Sequence, residues 1–118
     1  IIPLNVSGAF HSPLMRPARE ELADKLDSIQ ISDIEIPLYS NFDAKPKTKG
    51  KDIKNSLVYQ LENPVLWYDT INNMTNDGYS SYIEIGPGKV LQGLNRKIKK
   101  SLSSIGIQSH LDIMNHEV

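Results

Sequence analysis

Apolar positions recur along the chain at two spacings, and the alternation between them predicts its elements. "IIPLNVS", residues 1–7, is a short, mostly apolar, strand-like run that Gly8 ends. Ser12-Pro13 forms a helix entry, because Ser caps a first turn and Pro suits the first helical position. The next helix is expected over "PAREELADKLDSI", with Ala18, Leu22, Leu26 and Ile29 on one inward face and Glu20 and Glu21 in its first turn. "IEIPLYSN", residues 34–41, alternates Ile34, Ile36 and Leu38 and predicts a strand with those three inward. A lysine-rich stretch with Lys45, Lys47, Lys49 and Lys51 predicts a solvated loop, and Asp52 is placed to cap a short helix striped by Ile53, Leu57 and Leu61.

Asn63-Pro64 ends that helix and opens another through Trp67, Ile71 and Met74, which Gly78 closes. "YSSYIEIG" (79–86) predicts a strand, "GPG" a tight turn, and "KVLQGLNRKIKK" a helix with Val90, Leu91, Leu94 and Ile98 inward and Lys97, Lys99 and Lys100 in its last turn. A last short strand, "SSIGIQS", precedes a terminal turn or short helix. Strands alternating with helices point to an α/β layer with largely parallel strands. About four strands are few for an independent sheet, and the chain opens on Ile in strand-like sequence. Both features suggest the second half of a larger domain.

Composition narrows the chemistry. The net charge of −1 gives no overall field to recruit nucleic acid. With no cysteine there are no disulfides, thiolate metal sites or Cys nucleophile, and a cytoplasmic setting is consistent with that. No apolar run approaches the roughly 18 residues that cross a membrane, and no signal peptide is visible at the start. His11 has no metal-ligand partners at a recognisable spacing, since His110 and His116 both lie in the polar C-terminal stretch. It does follow a strand and precede a helix, where functional groups gather in open α/β sheets, and imidazole suits proton transfer near neutral pH. A base needs a nucleophile, yet no serine here stands in a Gly-x-Ser-x-Gly elbow. "IEIGPGK" fails both the phosphate-loop and the dinucleotide spacing.

Three blocks, "NVSGAFHSPLM", "YQLENPVLW" and "IEIGPGKVLQGL", in this order and at these separations, resemble the C-terminal part of malonyl-CoA:acyl-carrier-protein transacylases, from residue 1 to about residue 107. The last two blocks also occur in acyltransferase domains of polyketide and fatty acid synthases, which keeps such a domain as an alternative. The resemblance implies residues 1–118 to be the C-terminal portion of a large α/β-hydrolase-like acyltransferase domain. The nucleophile-bearing half and a small ferredoxin-like subdomain would lie upstream. It further implies ping-pong transfer of malonyl from coenzyme A to the phosphopantetheine thiol of acyl carrier protein, in fatty acid biosynthesis, with no bound cofactor and malonyl-CoA as substrate. His11 would be the general base, oriented by the backbone carbonyl of Gln60. Phe10, Asn41 and Val90 would line the substrate site, Phe10 by filling the space of an α-methyl group. Arg96, Lys97, Lys99 and Lys100 would meet the acidic carrier protein, and neither nucleic acid nor membrane is expected as a partner. The chain by itself would be inactive, because its serine lies elsewhere.

Overall fold

A computed structural model describes residues 8–115, in two units that divide between Thr70 and Ile71. The strand expected over residues 1–7 lies outside the described residues.

In the first unit, Ser12 opens a 3-10 turn, Pro13–Met15: its Oγ accepts from the Leu14 N–H at 3.3 Å and donates to the Ala9 carbonyl at 2.7 Å. Helix α1, Arg16–Asp27, follows directly, with Pro17 in the first turn, where a missing N–H costs nothing. Leu26 is buried and Leu22 half-buried, but Ala18 and Ile29 are exposed, which corrects the expected inward face. Ile29 lies past the helix end, its N–H returned to the Leu26 carbonyl at 2.9 Å. Starting at Arg16 also moves Glu20 and Glu21 out of the first turn, which holds no acid.

The strand expected over 34–41 shrinks to β1, Leu38–Tyr39, paired antiparallel with β2, Pro46–Lys47. Ile34, Ile36 and Leu38 are exposed rather than inward. Pro37 interrupts the run, and a partner only a few residues downstream can pair by a hairpin but not by the long crossover that parallel strands need. The intervening turn is held by Ser40, buried, whose Oγ accepts from Phe42 N–H at 3.1 Å and whose carbonyl accepts from Ala44 N–H at 2.9 Å. The lysine-rich stretch is therefore only partly a solvated loop, since Lys47 folds back to place Nζ 2.6 Å from each Asp43 carboxylate oxygen.

Helix α2, Gly50–Tyr59, buries Ile53 and half-buries Leu57, while Leu61 falls beyond its end. Asp52 is not its cap. The N-cap residue is Lys49, and Asp33 serves from outside the helix: Oδ1 accepts from Gly50 N–H at 2.9 Å, Oδ2 from Lys49 Nζ at 2.7 Å. These donors hold the Asp33 carboxyl below its ordinary pKa. Such close docking demands glycine, because a Cβ on Gly50 would sit 1.9 Å from the Ile31 carbonyl oxygen.

Helix α3, Trp67–Asn76, begins where Leu66 N–H bonds the Asn41 carbonyl at 3.0 Å. It closes at Gly78, with φ +100°: Gly78 N–H reaches the Thr75 carbonyl and Tyr79 N–H the Met74 carbonyl, which satisfies two orphan acceptors of the last turn.

The second unit is a strand–helix–strand motif. Strands β3, Ser81–Ile85, and β4, Ser103–Ile107, pair in parallel from Ser81↔Ser103 to Ile85↔Ile107. Helix α4, Val90–Ile98, connects them, and a short helix α5, His110–Asn115, follows. Among the described residues this is the one parallel pair, so the α/β class holds while the mostly parallel sheet is represented by two strands. Alternation gives the pair two unlike faces. Tyr82, Glu84, Ser104 and Gly106 share one face and are half-buried; Ile83, Ile85 and Ile105 share the other and are exposed.

Helix α4 attaches to the first face through polar contacts. Glu84 accepts from Leu91 N–H at 3.0 Å, Gln92 N–H at 3.3 Å and Gln92 Nε2 at 2.9 Å, and buried Asn95 donates Nδ2 to Ser104 Oγ at 3.1 Å. The expected inward stripe is corrected accordingly. Leu91 and Ile98 are half-buried, but Val90 and Leu94 are exposed, because Asn95 and Gln92 take the inner positions. The helix ends at Ile98, so Lys99 and Lys100 follow it instead of occupying its last turn.

Candidate functional site

His11 is one of two non-glycine residues with positive φ, +58°, among the described residues. This left-handed backbone is sparsely used by ordinary side chains but more often by His, Asn and Asp. His11 lies in the turn from Ala9 to Ser12 that the Ser12 Oγ bond to the Ala9 carbonyl closes.

What it reaches is the end of α2. Gln60 donates its N–H to the Ser56 carbonyl at 3.0 Å as the C-cap, and its own carbonyl has no partner within the helix. The His11 Nδ1 atom lies 2.8 Å from that oxygen. A carbonyl can only accept, so this bond requires the proton on Nδ1 and leaves Nε2 of the neutral ring as the basic nitrogen. The C-terminal end of a helix carries partial negative charge, which favours a cation beside it. Gln60 therefore sets the tautomer of His11 and presents a helix C-terminus to its ring.

Beside Gln60, a cavity of about 180 Å³ is lined by Tyr39, Ser40, Asn41, Ser56 and Leu57 among others. Asn41 is half-buried there and is anchored through its carbonyl to Leu66. The first unit thus brings His11 and Gln60 into contact and sets Asn41 on the same cavity as Gln60. Phe10 stands beside His11 in sequence and is 61% exposed, its ring packed over Gly8 so closely that a Cβ there would come within 2.9 Å of it.

The remaining expected site residues belong to the second unit. Val90 opens α4 and is exposed. Arg96 and Lys97 occupy the last turn of α4, where the dipole favours cations, and Lys99 and Lys100 are exposed just after it. Arg96 and Lys89 line a cleft of about 220 Å³ with Gln92, Leu102 and Ser104. Among the described residues no group of three His, Asp or Glu side chains is placed to hold a metal ion, and no helix is long and apolar enough to cross a membrane.

Sequence reasoning missed one cluster. Glu62, two residues after Gln60, is half-buried and faces Arg16 Nε at 3.1 Å and Arg19 Nε at 2.5 Å. A signal was present: two arginines sit in the first turn of α1, where the dipole favours anions.

No family model matches the sequence. A malonyl CoA-acyl carrier protein transacylase of Bacillus subtilis (strain 168) is 46% identical over 106 residues, which is 90% of this chain and 33% of that protein. The chain is a relative of the malonyl transacylases. It spans about a third of the length of the curated relatives it matches. Among solved structures, the malonyl-CoA:ACP transacylase of Synechocystis sp. PCC 6803 superposes with a TM-score of 0.90 at 35% identity, over 98% of this chain and 39% of that one. A malonyl-transacylase in complex with its type II PKS acyl-carrier protein gives 0.87 at 36% identity, over 97% and 37%. The resemblance carried by the three sequence blocks and the α/β class expected from them are both borne out by these matches.

Proposed function

We propose that this chain is the C-terminal part of a malonyl-CoA:acyl-carrier-protein transacylase and supplies its general base. The observation that carries the reading is the 2.8 Å contact between His11 Nδ1 and the Gln60 carbonyl, which leaves Nε2 free to take a proton. The nucleophile, a serine on a Gly-His-Ser-x-Gly elbow, would come from a segment upstream of the sequence described.

In the first half-reaction His11 Nε2 removes the serine Oγ proton as Oγ bonds to the thioester carbonyl carbon of malonyl-CoA. The carbon–sulfur bond breaks, and the coenzyme A thiolate leaves with the proton from Nε2. In the second, Nε2 takes the proton of the phosphopantetheine thiol, the thiolate bonds to the carbonyl carbon of the seryl ester, the carbon–Oγ bond breaks, and the proton returns from Nε2 to serine Oγ. A thioester is already an activated acyl donor, so a backbone carbonyl at the end of a helix suffices behind the histidine where a carboxylate is otherwise used.

Within this reading Asn41 lines the acyl cleft and Phe10 fills the space an α-methyl would need. Arg96, Lys97, Lys99 and Lys100 receive the acidic carrier protein. The working compartment is the cytoplasm, and the 118 residues without an upstream serine do not turn over. An acyltransferase acting in polyketide assembly is a second reading. It is favoured by the likeness to the malonyl-transacylase solved with a type II PKS carrier protein.

The test is malonyl transfer from malonyl-CoA to holo carrier protein, followed by intact mass, in the complete enzyme that carries this chain. His11→Ala should lower kcat by about 10²–10⁴-fold, the usual worth of a positioned general base. Unchanged turnover would overturn the assignment. Comparing carrier proteins of fatty acid and polyketide systems as acceptors separates the two readings.

A further inference from the structure

We infer that Glu62, clamped by Arg16 and Arg19, is a positioning residue that holds the Gln60 carbonyl against His11; the inference rests on the reading of His11 as the base.

His11 and Gln60 sit on separate segments, 49 positions apart. Each segment is tied by its own local hydrogen bonds. On one side, the Ala9–Ser12 turn runs into the 3-10 turn and then without a break into α1, so Arg16 and Arg19 are fixed relative to His11. On the other, the residues after α2 fold over its last carbonyls: Glu62 N–H and Asn63 Nδ2 both reach the Tyr59 carbonyl, at 3.3 and 2.8 Å. Glu62 is thereby fixed relative to Gln60.

The Glu62 carboxylate joins the two segments. Oε1 accepts from Arg16 Nε at 3.1 Å, and Oε2 faces Arg19 Nε at 2.5 Å. The side chains of Arg19 and Glu62 are 26% and 16% exposed, so this pair is shielded far better than an ordinary surface ion pair. Both arginines occupy helix positions that the dipole disfavours, which Glu62 offsets. Placing one carboxylate against two guanidinium groups on the helix continuous with His11 ties the donor segment to the acceptor segment beside their hydrogen bond.

The consequence is read at the imidazole itself. While the clamp holds, neutral His11 carries its proton on Nδ1. When the clamp is broken, the Gln60 carbonyl drifts and the ring reverts toward the Nε2–H tautomer that free imidazole side chains favour. The measurement is the pair of ring ¹⁵N shifts of His11, in histidine-labelled protein above the ring's titration, assigned by the signal lost in His11→Gln. Glu62→Gln and the double change Arg16→Gln/Arg19→Gln alter the local charge in opposite senses. Both should nevertheless lower the Nδ1–H population at least several-fold, and Glu62→Asp should restore part of it. Opposite movements in the two variants, or an undisturbed Nδ1–H tautomer in both, would overturn the clamp. Where either variant fails to fold, Arg16→Gln alone, on a largely exposed side chain, is read in the same way and carries the same two outcomes.

In the complete enzyme the same variants should lower kcat with little change in the KM for malonyl-CoA. The tautomer readout needs no turnover, so an inactive enzyme with an intact clamp would count against the transacylase reading and leave the positioning role standing.

Discussion

The carbonyl of Gln60 lies 2.8 Å from Nδ1 of His11, and it is available because α2 stops one residue earlier. Gln60 has φ −63° and ψ −21°, so its carbonyl still points along the helix axis, out of the C-terminal end.

That backbone acceptor cannot be removed by changing the Gln60 side chain, but it can be turned. A proline at the next position pushes the residue before it out of the helical region toward extended backbone. In the complete enzyme that carries this chain, Leu61→Pro is therefore expected to rotate the Gln60 carbonyl off His11 and reduce kcat for the proposed transfer at least 10-fold, whereas Gln60→Ala leaves it within about 2-fold, since the lost side chain is not the acceptor. Steady-state kinetics on the two variants checks the contrast.

Glu84 predicts an acid limb to stability. Its carboxyl is held below its ordinary value of 4.5, first by the Leu91 N–H and then by the Gln92 side chain. A depressed folded-state pKa contributes stability that is fully present above the unfolded value and disappears as pH falls through the folded one. Thermal midpoints should accordingly fall as pH is lowered from about 5 toward 3. Asp33, lowered by Lys49 and Gly50, adds a parallel effect. Glu84→Gln should flatten the limb and lower the midpoint at pH 7, which differential scanning calorimetry across pH resolves.

Phe10 predicts substrate choice. It is exposed, with the edge of its ring close over Gly8. Phe10→Ser should raise the methylmalonyl-to-malonyl ratio of kcat/KM by about 10–200-fold, the span of 1–3 kcal/mol that one methyl group commands in an apolar pocket. Competition assays with both thioesters measure it, and an unchanged ratio contradicts the steric account.

Lys99 and Lys100 predict carrier recognition. Both are exposed beyond the end of α4. Lys99→Glu/Lys100→Glu should raise the KM for carrier protein about 10-fold at low salt and leave malonyl loading from coenzyme A unaltered, an effect that shrinks as ionic strength rises. Equal losses in both half-reactions, resolved by single-turnover kinetics, argue against docking there.

Helix positions were legible in the sequence because their signals are local. The apolar stripe through Leu22 and Leu26, the Ser12-Pro13 entry and the Gly78 stop all act within a turn or two of where they are written. The strand over 34–41 was not legible. Its alternation of Ile34, Ile36 and Leu38 is a statement about two faces, and which face meets a core depends on partners elsewhere. The caps of α2 and α4 escaped for the same reason, since Asp33 and Glu84 act from other segments, 17 and 7 residues before Gly50 and Leu91.

The sequence by itself determined the α/β class, the Ser12-Pro13 helix entry just after His11 and, through three spaced blocks, the likeness to malonyl transacylases. Only the tertiary structure decided which atom His11 faces, that the Glu62 carboxylate ties Arg16 and Arg19 to the same corner, and that polar Glu84, Gln92 and Asn95, not Val90 and Leu94, seat α4 on its strands. The physical reason is that propensity and periodicity are properties of neighbours in the chain. A hydrogen bond between residues 49 positions apart exists only once two helix ends have been brought together.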